Sequence, residues 1–263
     1  MQIFFRYAHA ALNTMLFASL VATGCGTASK AGAPVAEQAV VVQKPSPVKV
    51  AFLQDKTGST TWTRTPQLTA EQLDLLIDVL RRAGGELGFG LIRNDSNRSL
   101  VRLRIEPPPE PLAKPMKTGR PFSDARRMEQ YRNHKVQFQQ KLAARQAETD
   151  QRIARFKKDV QPLLDQRADA KSTDIWGAVS RADLFLAEDA AAWRPATHRW
   201  AVFASDGLHN RGMVKPAPFR SGARILVINS AAQFGSLTAL HPEAFESVEA
   251  AFRHISATEG GQQ

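Results

Sequence analysis

Val48-Lys49-Val50-Ala51-Phe52-Leu53 runs straight into Gln54-Asp55-Lys56-Thr57-Gly58-Ser59. The first six residues are short and apolar, and they stand between Pro47 and a loop of carboxylate and hydroxyl side chains. Such a run predicts a buried strand. Trp200-Ala201-Val202-Phe203-Ala204 repeats the design and ends in Ser205-Asp206-Gly207. Two apolar strands that each end in an Asp-bearing loop set the frame for the whole chain.

Working outward, Thr69 and Gln72 have the spacing of a capping box. Leu73, Leu75, Leu76, Val79 and Leu80 then give one apolar helical face, which Gly84-Gly85 ends. Residues 87–92 and 100–105 read as strands. The short turn at Asn94 to Asn97 makes them antiparallel neighbours. Residues 174–186 predict a helix with Ile175, Val179, Ala182 and Leu186 on one side. Residues 223–228 predict another strand, and 236–240 a last short one. A closing helix is expected over 242–257, with Phe245, Val248, Phe252 and Ile255 on one side. Apolar runs alternating with helices predict an α/β fold: a Rossmann-like, mostly parallel central sheet with helices on both faces.

Residues 108–170 interrupt this alternation. Pro107-Pro108-Pro109 and Pro111 stop the sheet, and a Pro- and Lys-containing loop follows. From Ser123 onward the chain is helical and charged. Met128, Tyr131, Phe138, Leu142, Ile153, Phe156, Val160 and Leu163 form a broken apolar stripe. Pro162 should kink or end that helix. Roughly 40 residues at ~1.5 Å each would reach about 60 Å, so the basic helical insertion is expected either to project as an arm or to fold back as a hairpin.

The ends bear on location. Residues 1–24 have the layout of a secretory signal: Arg6, an apolar run from Ala10 to Thr23, then small residues before Cys25. Ala22-Thr23-Gly24-Cys25 resembles the bacterial lipobox, with Ala22 where Leu is commonest. The resemblance implies that Cys25 is lipidated and anchors the chain to a membrane. Cys25 is the only cysteine, so no intramolecular disulfide can form. Gly26 follows it, and by the Gram-negative sorting rule the absence of Asp there favours the outer membrane. Residues 25–47 read as a flexible tether of small and polar residues. Residues 48–260 are then one domain.

The formal net charge is +10, and part of the excess lies between Lys114 and Lys158. An exported location and the lack of an aromatic-and-basic binding motif argue against nucleic acid. Anionic lipid headgroups or acidic envelope polymers suit such a surface better. The six histidines show no metal-ligand spacing, and no Gly-x-Ser-x-Gly elbow or Walker loop occurs.

In an open parallel sheet, ligands bind at the carboxyl ends of the strands, where strand order reverses. Asp55 and Asp206 both follow strands at that end, and Thr173 lies on the loop into a helix. If the strands are adjacent, oxygen ligands converge there. That donor set suits Mg²⁺ best, with Ca²⁺ or Mn²⁺ as alternatives.

Asp55-x-Thr57-x-Ser59, then Thr173, then Asp206-Gly207, resembles the metal-ion-dependent adhesion site of von Willebrand factor type A domains. The family's first motif is Asp-x-Ser-x-Ser, and Thr57 keeps the middle hydroxyl. The likeness covers residues 48–107 and 171–257. It implies that Thr57, Ser59 and Thr173 supply hydroxyls to a divalent cation, and that Asp55 and Asp206 supply negative charge, commonly through water. It also implies an open position filled by a carboxylate of a protein ligand. The expected role is binding of an envelope or extracellular protein rather than catalysis.

Two other readings accompany it. Asp55-Lys56-Thr57-Gly58-Ser59-Thr60 also resembles the Asp-Lys-Thr-Gly-Thr of P-type ATPases, in the haloacid-dehalogenase-like class, where Asp55 would be a phosphoryl-accepting nucleophile. Against it, Thr57 is not the acid a simple phosphatase of that class places two residues on. His209-Asn210 also leaves a later acidic position empty. The third reading is a structural envelope lipoprotein with a vestigial metal site.

Overall fold

A computed structural model describes residues 46–188, 198–211, 219–229 and 234–259. The signal segment, Cys25 and the tether up to Pro45 lie outside the described residues.

Among the described residues, six strands form one sheet in the order β3-β2-β1-β4-β5-β6. The strands are β1 (Val48–Asp55), β2 (Gly85–Ile92), β3 (Val101–Ile105), β4 (His198–Ala204), β5 (Arg224–Ile228) and β6 (Glu243–Phe245). β1 pairs in parallel with both β2 and β4, and only β3 runs antiparallel. The chain leaves β1 toward β2 and β3, then returns to build the other half from β4. Strand order therefore reverses between β1 and β4. In open α/β sheets such a reversal, at the carboxyl ends of the strands, is where ligands bind.

Both faces of the sheet are covered, as its apolar strands require. Phe52, Val50 and Val202 pack on one side with Leu76 and Leu80 of α2 (Ala70–Ala83), Phe252 and Ile255 of α5 (Val248–Glu259), and Phe156 and Val160 of α3 (Pro121–Leu164). Phe52 stacks on Phe89 at 6.0 Å and meets Phe252 edge-on at 5.7 Å. On the other side Leu53, Ala51 and Phe203 pack against Ile175, Val179 and Phe185 of α4 (Ile175–Ala187). Alternate residues of β1 thus feed two separate cores, the period-two geometry of a strand.

Local chemistry sets the junctions. The Thr69 hydroxyl accepts from the Gln72 N–H and the Gln72 side chain accepts from the Thr69 N–H, so the expected capping box starts α2. Gly85 ends the α2–β2 turn at φ 146°, where a Cβ would lie 2.0 Å from the Val48 carbonyl oxygen. Only glycine allows β2 to start that close to β1.

Three elements depart from the sequence reading. The Thr- and Ser-rich stretch after Asp55 contains a short helix, α1 (Gly58–Thr63). It has no apolar period; Thr60 and Thr63 instead donate back to the carbonyls of Thr57 and Ser59. Residues 236–240 form a 3₁₀ turn within Gly235–Leu240, not a strand. The last strand is Glu243–Phe245, which satisfies the free edge of β5, and the closing helix starts only at Val248. Ser247 accepts from the Ala250 N–H, and this cap outweighs the helix-starting preference of Pro242.

α3 is one uninterrupted helix of 44 residues, about 66 Å at 1.5 Å per residue. Pro162 lies in its last turn. Its fully buried residues are Ile153, Phe156 and Val160, all in the C-terminal third. That part is fastened to α2 by Arg81–Asp150 at 2.8 Å and by the Lys157–Asp74 pair. The Arg145 guanidinium also donates to the Pro107 carbonyl. Before Ile153 no residue of α3 is fully buried. The insertion is a helical arm rooted on the domain, not a hairpin of two helices.

Candidate metal centre at the carboxyl end of the sheet

Asp55 is the last residue of β1 and is fully buried. Its Oδ1 accepts from the Thr57 N–H at 2.9 Å and from Thr57 Oγ1 at 2.6 Å. Thr57 Oγ1 in turn lies 3.1 Å from Ser59 Oγ. The Asp-x-Thr-x-Ser spacing thereby folds three side chains into one knot. The other oxygen, Oδ2, accepts from Ser205 Oγ at 2.6 Å, across the β1–β4 boundary.

Asp206 follows Ser205 and is buried. Its Oδ1 accepts from the Leu208 N–H at 3.0 Å, and its Oδ2 from Thr63 Oγ1 at 3.5 Å. The loop turns at Gly207, φ 72°, where a Cβ would lie 2.0 Å from the Phe234 carbonyl oxygen. A side chain there would push the Asp206 loop off the 3₁₀ turn.

Thr173 comes in on the third loop and is buried. Its N–H donates to the Asn210 side-chain oxygen at 2.7 Å, which ties it to the Asp206 loop. Among the described residues its hydroxyl makes no hydrogen bond. Asp174 caps α4 through the Gly177 N–H at 3.0 Å, and its other oxygen accepts from the Ser96 N–H at 3.1 Å, so it is engaged by the helix and the β2–β3 loop.

The structure therefore joins Asp55, Thr57, Ser59 and Ser205 by direct hydrogen bonds. Asp206 sits next to Ser205 and Thr173 on the adjoining loop. Sequence reasoning passed over Ser205, although it stands directly before Asp206 at the end of an apolar strand. It also missed Asn210 and Asn229, which hold the loops; the Asn229 amide donates to the Ser205 carbonyl at 3.3 Å. No spacing signal could single these out, because their partners are distant in sequence. His209 turns toward Trp176, ring centres 6.0 Å apart, and both line a cavity of about 480 Å³ with Asp174 and Arg211. Trp62 on α1 is 88% exposed.

Burial pushes the Asp55 carboxyl up to about 6. Its hydrogen bonds from Ser205 and Thr57 oppose that shift, and the like charge of Asp206 adds to it. The adjacent Lys56 does not neutralise it, because its ammonium donates to the Leu164 carbonyl at 2.8 Å. Two buried carboxylates thus lie at the ends of neighbouring strands, and hydroxyls of Thr57 and Ser205 donate to one and that of Thr63 to the other. Among the described residues no group of three or more His, Cys, Asp or Glu forms a cation cage. The donor set is carboxylate and hydroxyl oxygen, which fits a hard divalent cation that keeps part of its water shell.

No family model and no curated protein matches the chain. Among solved structures the chain is similar to the pilus adhesin SpaC from Lactobacillus rhamnosus GG in its open conformation. The TM-score is 0.40 and the sequence identity 10%, over 83% of this chain and 30% of that one. The chain thus spans less than a third of the length of that adhesin, and a likeness at this level identifies no family.

Proposed function

We propose that the rim between β1 and β4 is a divalent-metal site of the von Willebrand factor A type, through which the protein binds the carboxylate of a protein partner. The observation that carries this reading is the Asp55 carboxylate, buried, raised in pKa by the like charge of Asp206 as well as by burial, and bonded among the described residues by hydroxyl and amide donors. A buried carboxylate beside a second one is costly without a cation. Thr57, Ser59 and Thr173 would offer hydroxyls to the ion, with Asp55 and Asp206 acting directly or through water. When bound, the cation supplies an electrophilic position for an outside carboxylate. Ser205 and Asn210 act as positioning residues that hold the loops in register. With Cys25 lipidated, the domain would work at the surface of a membrane, the outer one in a Gram-negative cell.

Calorimetric titration of Mg²⁺, Mn²⁺ and Ca²⁺ into the protein tests this. Saturable heat that Asp55→Asn abolishes, while the fold is retained, is the expected outcome. Partner capture should then be reversed by EDTA. Absence of cation binding to the wild-type protein would sink the proposal. Asp55-dependent binding of beryllium trifluoride would point instead to phosphoryl transfer.

A further inference from the structure

α3 begins far from its root, and its tip is built rather than frayed. The chain reaches it through the extended Pro-rich segment 106–120 and turns back at Thr118 to Arg120. The Asp124 carboxylate closes that turn. It accepts from the Thr118 N–H, the Thr118 hydroxyl and the Gly119 N–H at 2.8 to 3.1 Å. These bonds hold its pKa below the usual carboxylate range. Gly119 has φ 79°, the left-handed conformation the turn needs. Pro121 opens the helix, where its missing N–H costs nothing.

The turn displays apolar side chains among cations. Phe122 is 93% exposed and Met116 87% exposed. Lys114, Lys117, Arg120, Arg126 and Arg127 surround them in sequence, and all five are exposed. The acid of this stretch, Asp124, is engaged by the turn. From Pro111 to Lys141 there are eight Lys and Arg against two acids, Asp124 and Glu129, so this segment carries +6 of the chain's +10.

We infer that the tip of α3 docks on an anionic phospholipid surface, with Met116 and Phe122 entering the headgroup region and the surrounding lysines and arginines facing lipid phosphates. Charge complementarity selects an anionic partner. Two large apolar side chains almost wholly exposed on one turn select an interface that takes up apolar groups without a matching pocket. A soluble polyanion would use the charges and leave Met116 and Phe122 in water. The inference is independent of the metal site and of lipidation at Cys25. It assigns the arm a reversible membrane contact of its own.

The sole cysteine makes the test direct. In the full chain, Cys25→Ser with Met116→Cys places one environment-sensitive dye at the tip. Cys25→Ser with Leu184→Cys places it on α4, at a site 69% exposed. Vesicles of phosphatidylcholine containing phosphatidylglycerol should blue-shift the tip dye and leave the α4 dye unchanged. Vesicles of phosphatidylcholine alone should shift neither. Lys114→Gln, Lys117→Gln and Arg126→Gln together, with helix content unchanged by circular dichroism, should weaken the interaction about a hundredfold. High salt should release it. The inference is overturned by an unshifted tip dye, by equal shifts at both positions, or by equal response to neutral vesicles. Insensitivity to the triple substitution, or an equal shift with polyphosphate in place of vesicles, also overturns it.

Discussion

Ser205 Oγ donates to Asp55 Oδ2 across 2.6 Å, joining the ends of two neighbouring parallel strands. The bond has two roles. It keeps the two carboxylate-bearing loops in register, and it stabilises the ionised form of a buried acid. Ser205→Ala should therefore cost about 1.5–3 kcal/mol above pH 6, since a charged group loses a donor it cannot replace with water. Urea unfolding at pH 7.5 measures this. Ser205→Thr, which keeps the hydroxyl, should recover most of the loss.

Asp55 should make the stability of the cation-free protein depend on pH. Its folded pKa is raised to about 6 from an ordinary value of 3.8. Between these values the folded state holds a proton that the unfolded state has lost. Stability should therefore fall as pH rises through that window and level off above the folded pKa. The two-unit shift corresponds to roughly 3 kcal/mol. Thermal melts in EDTA from pH 4 to 8 should show the decline, and Asp55→Asn should flatten it. Added Mg²⁺ should restore stability at pH 7.5 but not at pH 4.5, where the carboxyl is protonated.

Position 57 separates hydroxyl chemistry from shape. Thr57→Val preserves volume but removes the hydroxyl donor to Asp55 Oδ1, leaving the backbone N–H donor, and removes the contact to Ser59. It should abolish the melting-temperature rise caused by Mg²⁺. Thr57→Ser keeps the hydroxyl and loosens χ1, so the rise should persist. Equal behaviour of the two variants would refute a ligand role for this side chain.

The root and the shaft of α3 should respond differently to truncation. Phe156 is buried against the sheet core, and Phe156→Ala should cost about 3–5 kcal/mol. Val136, exposed on the shaft, should tolerate Ala within about 0.5 kcal/mol. Chemical denaturation of both variants gives the comparison. A large loss at Val136 would mean that the shaft packs against the domain.

The strands were legible because Val48 to Leu53, Lys49 apart, and Trp200 to Ala204 are apolar on both faces. A strand covered on both sides by helices leaves that mark whatever its neighbours are. The capping box at Thr69 and the helix end at Gly84-Gly85 were legible too, since a local hydrogen bond or a forbidden φ acts within a few residues. The candidate loops were visible as Asp-bearing loops at strand ends, and Thr57 carried its own bond to Asp55 two residues away.

The partnership of Ser205 with Asp55 was not legible. It depends on β4 lying beside β1, and strand adjacency comes from long-range pairing that no window of sequence contains. The same holds for β6, where the open edge of β5 recruited Glu243 to Phe245 from a stretch with a plausible helix start. Whether the insertion folded back was also undecided, because its apolar stripe is broken throughout. Only the root found a core to bury itself in, so Ile153, Phe156 and Val160 became interior while Met128, Tyr131 and Phe138 of the same stripe stayed half-buried and Leu142 exposed. Local chemistry thus named the elements and the oxygen donors of this protein. Non-local packing decided which of them meet, because burial rewards a contact only after the intervening chain has been brought together.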